Sequence, residues 1–201
     1  TNLTSFFRES HHFPILAQCA LQASRRGHDP VTLWSSACST GEEPYSMAMA
    51  LIDAFGTWTP PVRILATDLD TNVVQHAAQA IYPMERVEKL PEADVKRFFL
   101  RGKDAQAGMV RLRPEVRALV TFRPLNLLSD DWPTKGRFDA IFCRNVLIYF
   151  DKSTQYKILE RFHPLLRAEG LLFVGHSESL THVADLFRLQ GKTVYAPVTR
   201  H

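Results

Sequence analysis

Cysteine is scarce in this chain of 201 residues. Cys19, Cys38 and Cys143 are odd in number and far apart, with no C-x-x-C and no Cys/His pair at zinc spacing. They read as reduced thiols in a cytoplasmic protein. Long apolar runs are also missing. The longest stretch with few polar residues, around Met47 to Phe55, is far short of the ~20 residues that span a bilayer. The start, Thr1 to His12, has no signal-like apolar region, so no membrane insertion is expected. Charge is nearly balanced, with 24 Lys+Arg against 21 Asp+Glu. Basic blocks such as Arg25-Arg26 are short, so composition gives no nucleic-acid footprint. No internal repeat or low-complexity segment appears. The phosphate-cradling signatures G-x-G-x-x-G and G-x-x-x-x-G-K-[ST] are absent too.

What is present is ordinary globular composition, 45% hydrophobic and 22% charged. At this length a single core removes roughly 70% of the unfolded chain's surface from water, so one domain needs no staple. Short runs rich in β-branched or aromatic residues occur at Val31 to Ser36, Val62 to Thr67, Leu119 to Phe122, Phe138 to Cys143 and Gly170 to Gly175. Helix-like stretches lie between most of them, at Phe13 to Arg26, Pro44 to Phe55, Asn72 to Ala80, Ala93 to Leu100 and Thr154 to Leu166, the last stopped by Arg167 and Gly170. Such alternation predicts an α/β fold with a parallel sheet covered on both faces. Phe187 to Leu189 and Thr193 to Ala196 read as a closing antiparallel hairpin, and 102–123 as a small β insertion at the sheet's edge.

Ligands of open α/β sheets bind beyond the carboxyl ends of the strands. The first strand runs into Ala37-Cys38-Ser39-Thr40-Gly41-Glu42-Glu43-Pro44. Ser39 or Thr40 is the expected helix cap. Two adjacent glutamates exceed what capping needs and repel an anion, which favours a cationic or hydroxyl-rich ligand. The second strand ends at Asp68, placed to accept ribose hydroxyls, while Asp70 caps the next helix. Asn126 and Leu127 follow the third strand, where an adenine would find an amide and an apolar side chain. The fourth strand ends in Arg144-Asn145 and continues to Tyr149. Either these form a substrate wall, or Tyr149 is core and Arg144 a surface ion pair; spacing leaves both open.

Taken together, TNLTSFFRE, WSSACSTGEEPYSMAMA, ATDLD, FRPLNLL, FDAIFCRNVLIYFD and GLLFVGHSESL resemble, over nearly the whole chain, the catalytic domain of the chemotaxis receptor glutamate methyltransferases, the CheR family. The pairing of CSTGEEPYS with CRNVLIYFD carries the resemblance. It implies a class I S-adenosylmethionine-dependent methyltransferase: a Rossmann-like, mostly parallel sheet of seven strands, the last antiparallel, with the small antiparallel insertion. It implies methyl ester formation on glutamates of bacterial chemoreceptors, with S-adenosylhomocysteine as coproduct. By motif position, Asn2, Thr4 and Arg8 resemble the N-terminal cofactor contacts, and Ala37 and Glu43 those of the first loop, Glu43 being a candidate partner for the methionine ammonium. Asp68 resembles the ribose carboxylate. Asn126 and Leu127 fall on the adenosine side, Arg144 and Asn145 near the sulfonium. Arg8 and Tyr149 resemble the pair bordering methyl transfer.

The resemblance further implies docking on chemoreceptor cytoplasmic helices. Arg111 and Arg113 in the insertion would either meet an acidic receptor tail or solvate an edge strand. A monomer is expected, spanning the catalytic domain in 1–201 without the family's additional N-terminal helical domain, as in a trimmed piece. Alternatives are a class I methyltransferase for another acceptor, or a cofactor-sensing module without catalysis. Gly175-His176-Ser177-Glu178-Ser179 looks like a nucleophile elbow but lacks its final glycine, which argues against a serine hydrolase. His176 is a candidate support for the site, and His11-His12 are expected at the surface or an interface.

Overall fold

A computed structural model describes residues 4–132, 134 and 136–200. Along the chain come α1 (His12–Arg25), β1 (Val31–Ser35), α2 (Glu42–Phe55), β2 (Val62–Asp68) and α3 (Thr71–Gln79). Next are β3 (Ile81–Pro83), α4 (Glu92–Phe98), β4 (Phe99–Arg101), β5 (Met109–Leu112) and the single turn α5 (Pro114–Arg117). The chain continues with β6 (Val120–Pro124), β7 (Phe138–Cys143), α6 (Lys152–Phe162), β8 (Leu166–Val174), β9 (Phe187–Gly191) and β10 (Val194–Pro197). Seven strands form one sheet in the order β6-β2-β1-β7-β8-β10-β9. Its pairs are parallel except where β10 meets β8 and β9. That is the sheet the alternation predicted, with the C-terminal hairpin supplying the antiparallel strand. Among the described residues no helix is long and apolar enough to cross a membrane.

The central strands are apolar on both faces, as a sheet covered on both sides requires. Every residue of β7 is buried. Ala140 and Phe142 face a cluster holding Leu16 of α1 and Met49 of α2, whereas Ile141 and Cys143 face another built on Trp34, Leu159 and Phe162. The three cysteines are free and buried, and burial pushes the Cys19 thiol up to about 11 and raises those of Cys38 and Cys143 as well. Strand order reverses between β1 and β7: the chain leaves β1 for β2 and β6 on one side, then returns to β7 on the other. A crevice beyond their carboxyl ends is the geometric consequence.

The small β insertion differs from its expected bounds of 102–123. Its antiparallel sheet, ordered β3-β5-β4, draws strands from Ile81 to Leu112, while β6 joins the large sheet beside β2. β3 and β4 are three residues each, too short for alternation to register in the sequence. β3 also supports the ligand end of the large sheet, since the Tyr82 hydroxyl donates to the Thr40 carbonyl at 2.6 Å. Asp70 caps α3 as expected, accepting from the Asn72 and Val73 amides. The cap of α2 is instead Gly41 in a left-handed turn, and the Thr40 hydroxyl donates to the Glu42 carboxylate at 2.5 Å in place of accepting from a helix amide.

Gly170 is not a helix stop. α6 gives way to a turn of 3-10 helix at His163–Leu165, with Pro164 inside it, and Gly170 lies within β8. There β7 advances two residues from Phe138 to Ala140 while β8 advances five, from Leu166 to Leu171. The bulge brings backbone together: a Cβ at 170 would stand 2.9 Å from the Asp139 carbonyl oxygen and 2.8 Å from Leu166 Cδ1. Gly170→Ala is therefore expected to cost about 1–3 kcal/mol and to lower the melting temperature by roughly 3–10 °C. An unchanged melting curve would show that the bulge relaxes freely.

Candidate active site

A cavity of about 380 Å³ opens at the carboxyl ends of β1, β2 and β7. Of the residues singled out in the sequence, Ala37, Glu43 and Asp68 line one side of it, Arg144, Asn145 and Tyr149 another, and Thr4 and Arg8 of the N-terminal segment a third. Asn126 and Leu127 are not brought into this lining. Leu127 is buried in the core around Trp34, and Asn126 turns its Oδ1 onto the Leu128 amide at 2.9 Å. Asn2 lies outside the described residues.

The Asp68 carboxylate is oriented by backbone. Its Oδ2 accepts from the Ser39 amide at 2.9 Å and its Oδ1 from the Asp70 amide at 3.2 Å. Ser39 holds φ of 48°, the left-handed turn that aims its N–H at the carboxylate. With Asp70 occupied at the α3 cap, Asp68 is the acid of this pair that reaches the cavity.

Arg144 is neither a surface ion pair nor an unencumbered wall. It is 5% exposed. Its Nε donates to Glu43 Oε2 at 2.8 Å and its Nη1 to the Arg8 carbonyl at 2.7 Å. The other Glu43 oxygen accepts from Ser35 Oγ at 2.7 Å, so Glu43 is already neutralised by Arg144 and acts first as the anchor of that arginine. Tyr149, by contrast with the core alternative, is 66% exposed at the cavity's mouth.

The sequence led to His12 being expected at the surface or an interface; it is fully buried within the chain. α1 begins at His12, and its ring packs edge-on to Phe173. The Arg144 Nη1 lies 3.1 Å from His12 Nδ1. Arginine can only donate, so Nδ1 is the unprotonated acceptor and Nε2 carries the hydrogen toward Thr193 Oγ1, 3.0 Å away. The ring is neutral. Burial, with the Arg144 charge beside it, pushes its pKa down to about 4.

Two acids that sequence reasoning left without a role support the cavity's rim. Glu9 Oε1 accepts from the His176 amide at 2.6 Å and lies 2.7 Å from its ring Nδ1, strapping the N-terminal segment to the turn after β8. Burial raises the Glu9 carboxyl, but the His176 hydrogen bonds and Arg144 outweigh it and leave it below its ordinary value. Glu178 is buried in that same turn. Ser5, Ser39, Val146, Ile148 and Ser177 also line the cavity. All five sit within the quoted motifs, so membership of a motif was their signal, and residue type alone was not.

The donor set suits S-adenosylmethionine. Asp68 offers a fixed carboxylate for ribose hydroxyls.

The buried neutral ring makes a pH-dependence. As pH falls, the unfolded chain protonates His12 near its ordinary 6.5 before the folded chain does near 4, so stability drops across that interval. Between pH 7 and 5 the loss attributable to this group is about 2 kcal/mol. Urea unfolding of His12→Gln is expected to lose about 2 kcal/mol less than the parent over the same interval. Equal losses would contradict the burial of a neutral ring.

Residues 2–196 match the family described as CheR methyltransferase, SAM binding domain. Chemotaxis protein methyltransferase 2 of Pseudomonas aeruginosa is 55% identical over 197 residues, covering 98% of this chain and 70% of that protein. The chemotaxis protein methyltransferase of Escherichia coli is 50% identical over 196 residues, covering 98% of this chain and 67% of its own. Among solved structures, a TehB-like SAM-dependent methyltransferase from Corynebacterium glutamicum is 14% identical with a TM-score of 0.48, over 94% of this chain and 97% of that one. With its motifs on the strand ends that line the cavity, the chain belongs to the CheR methyltransferase family.

Proposed function

We propose that this protein transfers a methyl group from S-adenosylmethionine to glutamate side chains of bacterial chemoreceptors, forming methyl esters, as a cytoplasmic monomer. The observation that carries the reading is the convergence on one cavity of Asp68, the Glu43–Arg144 pair, Arg8 and the exposed Tyr149. Bound S-adenosylmethionine supplies an electrophilic methyl carbon on a sulfonium. Asp68 holds the ribose hydroxyls. Glu43, its charge paired with Arg144, gives the methionine end a polar wall without presenting a bare carboxylate. Leu127 and Asn126 brace the chain on the adenosine side from outside the lining.

The acceptor needs no general base, since a glutamate with pKa of about 4.3 is ionised at neutral pH. The protein's part is placement and removal of water. Tyr149 donates a neutral hydrogen bond to the acceptor carboxylate, and Arg8, whose carbonyl is pinned by Arg144, sets its approach. A tight bidentate arginine clamp would stabilise the nucleophile's ground state and slow attack. Arg111 and Arg113 donate to backbone carbonyls of Gln79, Lys96 and Arg97, so they stiffen the small sheet at which a receptor tail would dock.

Incubation with labelled S-adenosylmethionine and chemoreceptor-rich membranes, then mild alkali, distinguishes an ester from an N-methyl product: the ester releases volatile methanol. Alkali-stable label, or none despite cofactor binding, would overturn the reading. Tyr149→Phe is expected to lower kcat by about ten- to a hundred-fold with cofactor Kd nearly unchanged. Asp68→Asn is expected to weaken cofactor binding by about ten-fold or more, measured by calorimetry. Equal loss of cofactor affinity in Tyr149→Phe would remove the acceptor-side role of the tyrosine.

A further inference from the structure

The segment that carries Asn145 and Tyr149 has little internal structure to hold it. Its hydrogen bonds within itself are those of one 3-10 turn, from Tyr149 to the Val146 carbonyl and Phe150 to the Leu147 carbonyl. Asn145 stands at φ of 62°, a conformation that costs energy for a residue with a side chain and persists only where neighbours enforce it. Glu178 is that neighbour. Its Oε1 accepts from the Asn145 amide at 2.6 Å and from the Gly175 amide at 2.7 Å, and its Oε2 accepts from the Leu147 amide at 2.7 Å. The side is crowded: a Cβ at Gly175 would overlap the Asn145 side-chain oxygen and stand 2.9 Å from Glu178 Oε1. From the opposite direction Gln155 Nε2 donates to the Leu147 and Phe150 carbonyls at 2.8 and 3.0 Å. The amides of 145 and 147 are thus taken by one side chain, and the carbonyls of 147 and 150 meet another.

We propose that Glu178 is a positioning residue for methyl transfer, acting through Tyr149: by collecting the amides of residues 145, 147 and 175 it sets the loop from which the tyrosine reaches the acceptor. The inference rests on the acceptor-side role given to Tyr149. An ionised carboxylate is the side chain that fits, because both its oxygens accept and neither donates. A glutamine would aim an N–H₂ at one of the three amides, and an aspartate is one methylene too short to keep both contacts. Burial pushes the Glu178 carboxyl above its ordinary value against the pull of those amides, and an apolar side chain would avoid that cost only by leaving three amides without an acceptor.

A double-mutant cycle separates positioning from mere bracing. Glu178→Gln is expected to lower kcat by about ten-fold or more while cofactor Kd changes less than about three-fold; added to Tyr149→Phe, it is expected to lower kcat by no more than about two-fold further. Additive losses, unchanged kcat, or cofactor affinity falling in step with kcat would each overturn the proposal. Should Glu178→Gln fail to fold, Gln155→Met releases the other side of the loop, and its loss of kcat must likewise vanish in the Tyr149→Phe background. Amide hydrogen exchange reads the restraint without turnover, so it stands even if the acceptor proves different. The amides of 145 and 147 are expected to exchange about ten-fold faster in Glu178→Gln, and unchanged exchange would also overturn the proposal.

Discussion

Arg144 carries a full charge with 5% of its surface exposed, and it ties the Glu43 and Arg8 walls of the cavity to His12 and Glu9. A guanidinium cannot shed its proton, so burying it demands a carboxylate and further acceptors at matched geometry. Glu43 supplies the charge, the Arg8 carbonyl and the His12 ring supply the acceptors, and Glu9 stands 3.6 Å away. Those partners come from three parts of the chain, the start of α2, the N-terminal segment and the start of α1, and they meet at the end of β7. Removing one partner of such a pair typically costs about 3–5 kcal/mol, because the other charge is left buried alone. The same contacts that satisfy the arginine therefore fix the N-terminal segment, with Thr4 and Arg8, across the strand ends.

The cavity divides into a wall tied down by hydrogen bonds and a mouth that is exposed. Asp68, Glu43 and Arg144 are locked by short hydrogen bonds to backbone or to each other. Tyr149 stands in solvent at the mouth, on a loop held by Glu178 and Gln155. This division suits a reaction whose cofactor recurs unchanged while the acceptor arrives on another macromolecule, and in which placement supplies most of the acceleration.

Much of this was legible in the sequence, for definite reasons. Buried strands read as continuous apolar runs, so β1, β2 and β7 were placed within a residue or two, and their carboxyl ends named the cavity. Asp70 was legible as a cap because capping is local, and that left Asp68 for the ligand. Interactions across more than a hundred positions were not legible: the Arg144 contact to Arg8 spans 136 residues, and nothing near His12 signals that an arginine will bury it. The insertion's bounds were missed because strands of three residues leave no period to read. Gly170 was misread because a glycine demanded by a bulge looks the same in sequence as one that ends a helix.

Arg144 organises the wall made by Glu43 and the Arg8 backbone, the wall proposed to hold the cofactor. Lysine keeps the charge but offers one compact ammonium in place of a fork that reaches Glu43 and the Arg8 carbonyl together. Titration calorimetry of S-adenosylhomocysteine onto Arg144→Lys, with circular dichroism to confirm the fold, measures that difference directly. Binding weaker by about ten-fold or more in a folded variant is the result predicted. Affinity equal to that of the parent protein would contradict the account.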